Sequence, residues 1–134
     1  MALSNFEQCE YWMELADDDL VVAKSLLKEK HLLHCGFFCH LVIEKALKAV
    51  ITKNMHEQPD RIHDLQKLAK QGGLLDELSS QQLKLLDDLM PLHIEARYPE
   101  YKERIAQTLT YEICERILSE TDDLLCWIKK KLEK

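Results

Sequence analysis

The spacing of apolar and polar positions predicts helices along almost the whole chain. Ser4-Asn5-Phe6-Glu7 has the form of a capping box, in which a hydroxyl and a carboxylate each satisfy a backbone N–H that a helix start leaves unpaired. The helix it opens carries Trp12, Leu15, Val22 and Leu26, with Ala16 and Ala23 beside them, as an apolar stripe to about Lys28 that Asp19 interrupts. After the polar break Lys28-Glu29-Lys30, the stretch 32–53 is apolar around most of its circumference from Phe37 to Ile51, the pattern of a central helix touched from several sides. A connector follows at 54–60, where Pro59 disfavours helical geometry in the residue before it. A short helix at 63–71 then stops at Gly72-Gly73.

Ser79 with Gln82 repeats the capping pattern and opens a third long helix, with Leu83, Leu86, Leu89 and Met90 on one face and a kink at Pro91. It runs to about residue 96, before the break at Tyr98-Pro99-Glu100-Tyr101. Thr110 caps a last helix whose face is Ile113, Ile117, Leu124, Ile128 and Leu132, and Lys129, Lys130 and Lys131 suit the negative end of its dipole. Four long helices with mostly short connectors make an all-α, antiparallel four- to five-helix up-and-down bundle, one domain over residues 1–134.

Composition agrees with this reading: only three glycines and three prolines occur in 134 residues rich in good helix formers. A formal net charge of −6 argues against a broad basic surface for nucleic-acid backbone and leaves room only for a local basic patch. The apolar runs are too short to span a bilayer and the start of the chain lacks the form of a signal peptide, so a cytoplasmic protein with no membrane contact is expected. Five cysteines, an odd count in helical contexts, are expected as reduced thiols. His31, Cys35 and Cys39 stand at four-residue steps and would offer zinc ligands on one helix face. No matching second pair accompanies them, and single cysteines commonly bury as small apolar groups, so neither metal nor cofactor is expected.

The candidate chemistry lies elsewhere. Asp19 on an apolar stripe requires a partner: it is part of a polar cleft with Lys45, Lys48 or Arg97, or a structural ion pair, or a stripe edge reaching water. Glu44, Lys45 and Lys48 are either ordinary surface charges or the one polar seam of helix two, facing a groove or a partner. Arg97 and Tyr98 offer a guanidinium for phosphate and a ring for base stacking, with Lys102 and Arg104 adding positive charge, unless Arg97 merely ends helix three and Tyr98-Pro99 forms a turn. His63-Asp64 suits the start of the short helix, and a catalytic dyad there lacks an adjacent nucleophile.

Four motifs together, Ala16-Asp17-Asp18-Asp19-Leu20, Glu44-Lys45-Ala46-Leu47-Lys48, His63-Asp64-Leu65 and Ala96-Arg97-Tyr98-Pro99, resemble in order and separation the HEPN family, the higher eukaryotes and prokaryotes nucleotide-binding domain. The resemblance covers nearly the whole chain. It implies a helical bundle that pairs into a homodimer, often encoded beside a minimal nucleotidyltransferase as a toxin and antitoxin module. It also implies, for many members, metal-independent ribonuclease activity resting on an Arg followed after four to six residues by a His. Here the window after Arg97 holds Lys102, Glu103 and Arg104, and no histidine follows His93. The expectation is therefore a dimeric module that binds a nucleotide or RNA, or a nucleotidyltransferase partner, without the usual ribonuclease activity. Its candidate contacts are Asp19, Glu44, Lys45, Lys48, Arg97, Tyr98 and Lys102. The alternatives are a ribonuclease using Arg97 with His93 or His63, and a structural dimer with no ligand.

Overall fold

The computed structural model describes residues 3–95 and 107–133. Among them are five α-helices: α1 (Asn5–Lys28), α2 (Leu32–Val50), α3 (Leu65–Gln71), α4 (Ser80–Glu95) and α5 (Tyr111–Leu132). No strand is present among the described residues.

The starts of the helices are fixed by local chemistry. At α1 the Ser4 hydroxyl accepts from the Glu7 N–H at 3.1 Å, and the Glu7 carboxylate accepts from the Ser4 N–H at 3.5 Å. The same reciprocal pair, Ser79 and Gln82, sits at the start of α4 at 3.1 and 2.9 Å. Thr110 caps α5 through the Ile113 N–H. Asp64 caps α3 through the Lys67 N–H, so the short helix begins at Leu65 and leaves His63 outside it.

Helix ends differ more from the sequence expectation. Between α1 and α2, Lys30 adopts a left-handed conformation (φ 62°), and the His31 N–H reaches back to the Leu26 carbonyl at 2.8 Å. α2 ends at Val50 and passes into one wide π-type turn, Ile51–Met55, instead of continuing as α-helix to residue 53. Thr52 lies in that turn and donates its hydroxyl to the Lys48 carbonyl at 3.0 Å, a side-chain bond that competes with the regular backbone ladder.

Ion pairs and contacts give the helix directions. Asp17 with Lys129 (2.6 Å) and Lys24 with Asp122 (3.2 Å) run α1 and α5 antiparallel. Asn5 beside His56 brings the far end of α2 back to the start of α1. Glu77 with Lys131 and Asp88 with Arg116 set α4 antiparallel to α5. The long helices thus run up, down, up, down, with α3 in the connection between α2 and α4.

α2 packs against all four other helices and has twelve buried residues among its nineteen, as its apolar circumference predicts. The stripe on α1 is rotated from the expected one: it runs through Cys9, Ala16, Leu20, Ala23 and Leu27, and Val22 is exposed. Ala16 and Ala23 have no bulk to hold the helices apart, so the seam with α2 centres on them, while Trp12 and Leu26 pack along its edges. On α5 the buried register passes through Cys114 and leaves the neighbouring Ile113 exposed. Pro91 sits within α4 on its exposed side. No helix among the described residues is long and apolar enough to cross a membrane.

Candidate functional site

Phe37, His40, Glu44 and Lys48 recur every three or four residues on α2, so they share one face of the most buried helix. His93, near the end of α4, lies over this face, and His63 approaches it from the connector before α3. Gly36 helps to bring α4 close: a Cβ built there would stand 2.8 Å from the end of the Leu92 side chain. The His93 ring then stacks on Phe37 (centroids 5.3 Å apart, 15° between planes) and lies 4.4 Å from the His40 ring and 4.3 Å from that of His63.

Glu44 ties the group together. Its Oε1 accepts from His63 Nδ1 at 2.9 Å, and its Oε2 accepts from Lys48 Nζ at 3.1 Å. Lys48 Nζ also stands 5.4 Å from the centre of the Trp12 ring. Only 4% of Glu44 and 9% of Lys48 is exposed, so their charges depend on one another rather than on water. Burial works against the Glu44 carboxylate, but the bond from His63 and the charge and bond of Lys48 outweigh it and hold its pKa below the ordinary value.

His40 behaves in the opposite way. It is fully buried, and burial, reinforced by the charge of His93, lowers its pKa to about 4 against the pull of Glu44. The ring is therefore neutral at pH 7. Its Nε2–H donates to the His63 main-chain carbonyl at 3.0 Å, which leaves the lone pair on Nδ1 facing Glu44 Oε1 at 3.6 Å with no hydrogen-bond partner among the described residues.

A family model described as HEPN domain matches residues 9–132. The chain belongs to the HEPN domain family. Comparison with curated proteins and with solved structures gives no match.

Within this HEPN bundle, the structure sorts the residues singled out from sequence. Glu44 and Lys48 bond to each other on α2, with His63 on Glu44 and His93 beside the His63 ring, whereas Lys45, the third residue of the expected seam, turns to α1. Asp19 pairs with Lys45 at 2.5 Å, a partly buried link between α1 and α2. Arg97, Tyr98 and Lys102 lie outside the described residues. The face of His31, Cys35 and Cys39 is not among the groups whose ligand atoms converge. His31 is exposed, while Cys35 turns inward to Cys114, whose thiol donates to the Leu32 carbonyl at 3.6 Å. The bond with Cys114 lowers the Cys35 pKa, but the bond with Cys39 and burial outweigh it and push that thiol up to about 12. The sequence pattern gives Trp12 to the apolar stripe of α1 and does not single out His40. The overlooked signal was the four-residue step His40-Glu44-Lys48, a polar line on a helix otherwise committed to apolar contact.

Proposed function

We propose that this HEPN domain is a dimeric binding module that takes a nucleotide, or docks a minimal nucleotidyltransferase, at the polar seam of α2 within a toxin-antitoxin-type pair. In this reading it lacks the usual ribonuclease activity, for want of a histidine after Arg97. The observation that carries the reading is the convergence of Lys48 and His63 on Glu44, with the Trp12 ring against the Lys48 ammonium. Buried charge is costly, and an ammonium beside an aromatic ring suits a phosphate joined to a base. Asp19 and Lys45 extend the charged line between α1 and α2, and Arg97, Tyr98 and Lys102 supply further phosphate and base contacts. Phe6, Tyr11 and Val21, more than half exposed on α1, offer apolar surface for a second copy or a partner.

Thermal unfolding against a panel of ribonucleotides tests the small-ligand arm. Ligand at a hundred times its Kd stabilises by about 2.7 kcal/mol, and Lys48→Met is expected to abolish the shift. Co-expression with a nucleotidyltransferase encoded beside the gene tests the other arm, and sedimentation tests the dimer. No thermal shift together with no co-purification would sink the reading.

A ribonuclease reading has one observation in its favour. The His63 and His93 rings lie 4.3 Å apart in the same cluster, and Arg97 follows His93 by four residues, so imidazoles for acid–base work stand near a guanidinium in sequence. RNA cleavage by the purified protein that disappears in Arg97→Ala and His63→Ala would replace the binding reading with this one.

A further inference from the structure

The geometry points to a transition-metal site, of zinc type, formed by His40 Nδ1, Glu44 Oε1 and an imidazole nitrogen of His93. Ligand atoms of these three buried residues all lie within 4.8 Å of one another. Proximity alone would not carry this. The deciding feature is the contact between His40 and Glu44. With Nε2–H committed to the His63 carbonyl, Nδ1 presents a lone pair to a carboxylate oxygen, so two acceptors face each other in a dry interior.

Their 3.6 Å separation is too long for a hydrogen bond and fits coordination instead. Two ligands bound to zinc at about 2.1 Å with a tetrahedral angle between them stand about 3.4 Å apart. A cation between the two atoms would turn a repulsive contact into two bonds. Two imidazoles and one carboxylate form a donor set suited to zinc, with one coordination position left over. The surroundings supply the supports such a site uses: the His63 carbonyl orients His40 through its other ring nitrogen, and Lys48 holds the far oxygen of Glu44. His63, whose side chain is 47% exposed, now donates to Oε1 and would yield that oxygen or supply the fourth ligand. The site shares Glu44 and His63 with the proposed nucleotide seam but requires no nucleotide, so metal alone should fill it.

The test is titration of Zn2+ into protein made without a polyhistidine tag and stripped with chelator. One equivalent should bind per chain and raise the melting temperature. Substitution with Co2+ should give the visible spectrum of a tetrahedral site with nitrogen and oxygen ligands and no thiolate charge-transfer band. Removing a mere supporting partner weakens a metal site by about ten- to a hundredfold, so Glu44→Gln, which removes a ligand, should weaken it by more than about a hundredfold. Cys35→Ser should leave affinity unchanged. Absence of stoichiometric binding, a thiolate band in the cobalt protein, or full affinity in a folded Glu44→Gln variant would each overturn the proposal. The cobalt spectrum is read on the wild-type chain, so the outcome does not depend on the variant folding.

Discussion

Glu44 is the residue on which the largest single loss is expected. Glu44→Gln keeps the shape of the side chain but leaves the Lys48 ammonium buried without its counter-charge, and breaking such a pair costs about 3 kcal/mol. Lys48→Met should cost less, because His63 still donates to the carboxylate that remains. Asp19→Asn should cost under about 1 kcal/mol, since the Asp19–Lys45 pair is only partly buried. Urea unfolding of the three variants checks the order, and equal losses would contradict it. The thiols give a separate prediction. Burial raises the pKa of Cys9, Cys35 is pushed up to about 12, and its bond to Cys114 raises that thiol as well. Iodoacetamide at pH 8 should therefore label exposed Cys126 in the native protein and spare the four buried cysteines until urea opens the fold. Peptide mass spectrometry reads this directly.

At the level of the helix, the turn between α1 and α2 contains a correctable strain. Lys30 holds a left-handed conformation that favours glycine, with Lys30 N bonded to the Leu27 carbonyl and His31 N to that of Leu26. Lys30→Gly should raise stability by up to about 1 kcal/mol, the relief of the side-chain clash being partly offset by glycine's greater freedom in the unfolded chain. A lower melting temperature in that variant would count against this account. The same element shows what sequence could and could not reveal. Helix starts were legible because a cap is local chemistry: Ser4 with Glu7, Ser79 with Gln82, and Thr110 all act where their spacing places them. The buried face of α1 was not, because Val22 and Ala23 are adjacent and only the close approach of α2 selects the alanine. The seam was half legible for a similar reason. Glu44 and Lys48 announce themselves by charge on an apolar helix, whereas the arrival of His93 depends on how closely α4 packs at Gly36 and Leu92.

For the whole molecule, the seam links stability to pH. In metal-free protein His40 titrates at about 4, against an ordinary value of 6.5 in the unfolded chain, so between these values the unfolded state binds the extra proton. Stability is then full above pH 6.5 and falls as pH drops towards 4, by on the order of 3 kcal/mol from this group alone. The depressed pKa of Glu44 acts in the same sense, and its contribution is lost only as pH falls further, through its folded value. Chelator-treated protein unfolded by urea at a series of pH values should show this decline, and His40→Gln should flatten its upper part. A wild-type profile that is flat between pH 6.5 and 4 would contradict the assignment.

His63 is attached to the bundle twice, and the two attachments differ in kind. Its carbonyl receives the His40 N–H and anchors the connector, while its half-exposed ring bonds to Glu44 and lies against the His93 ring. The ring can rotate outward without releasing the carbonyl. Opening a path to the buried carboxylate here would need only a rotamer change of one imidazole, an event of nanoseconds for an exposed side chain, lengthened by the bond to Glu44 and the contact with His93 that must break. Traffic into and out of the bundle interior at this point would proceed while the backbone stays closed, and a slow backbone amide-exchange rate across α2 would be fully compatible with rapid exchange of whatever occupies the seam.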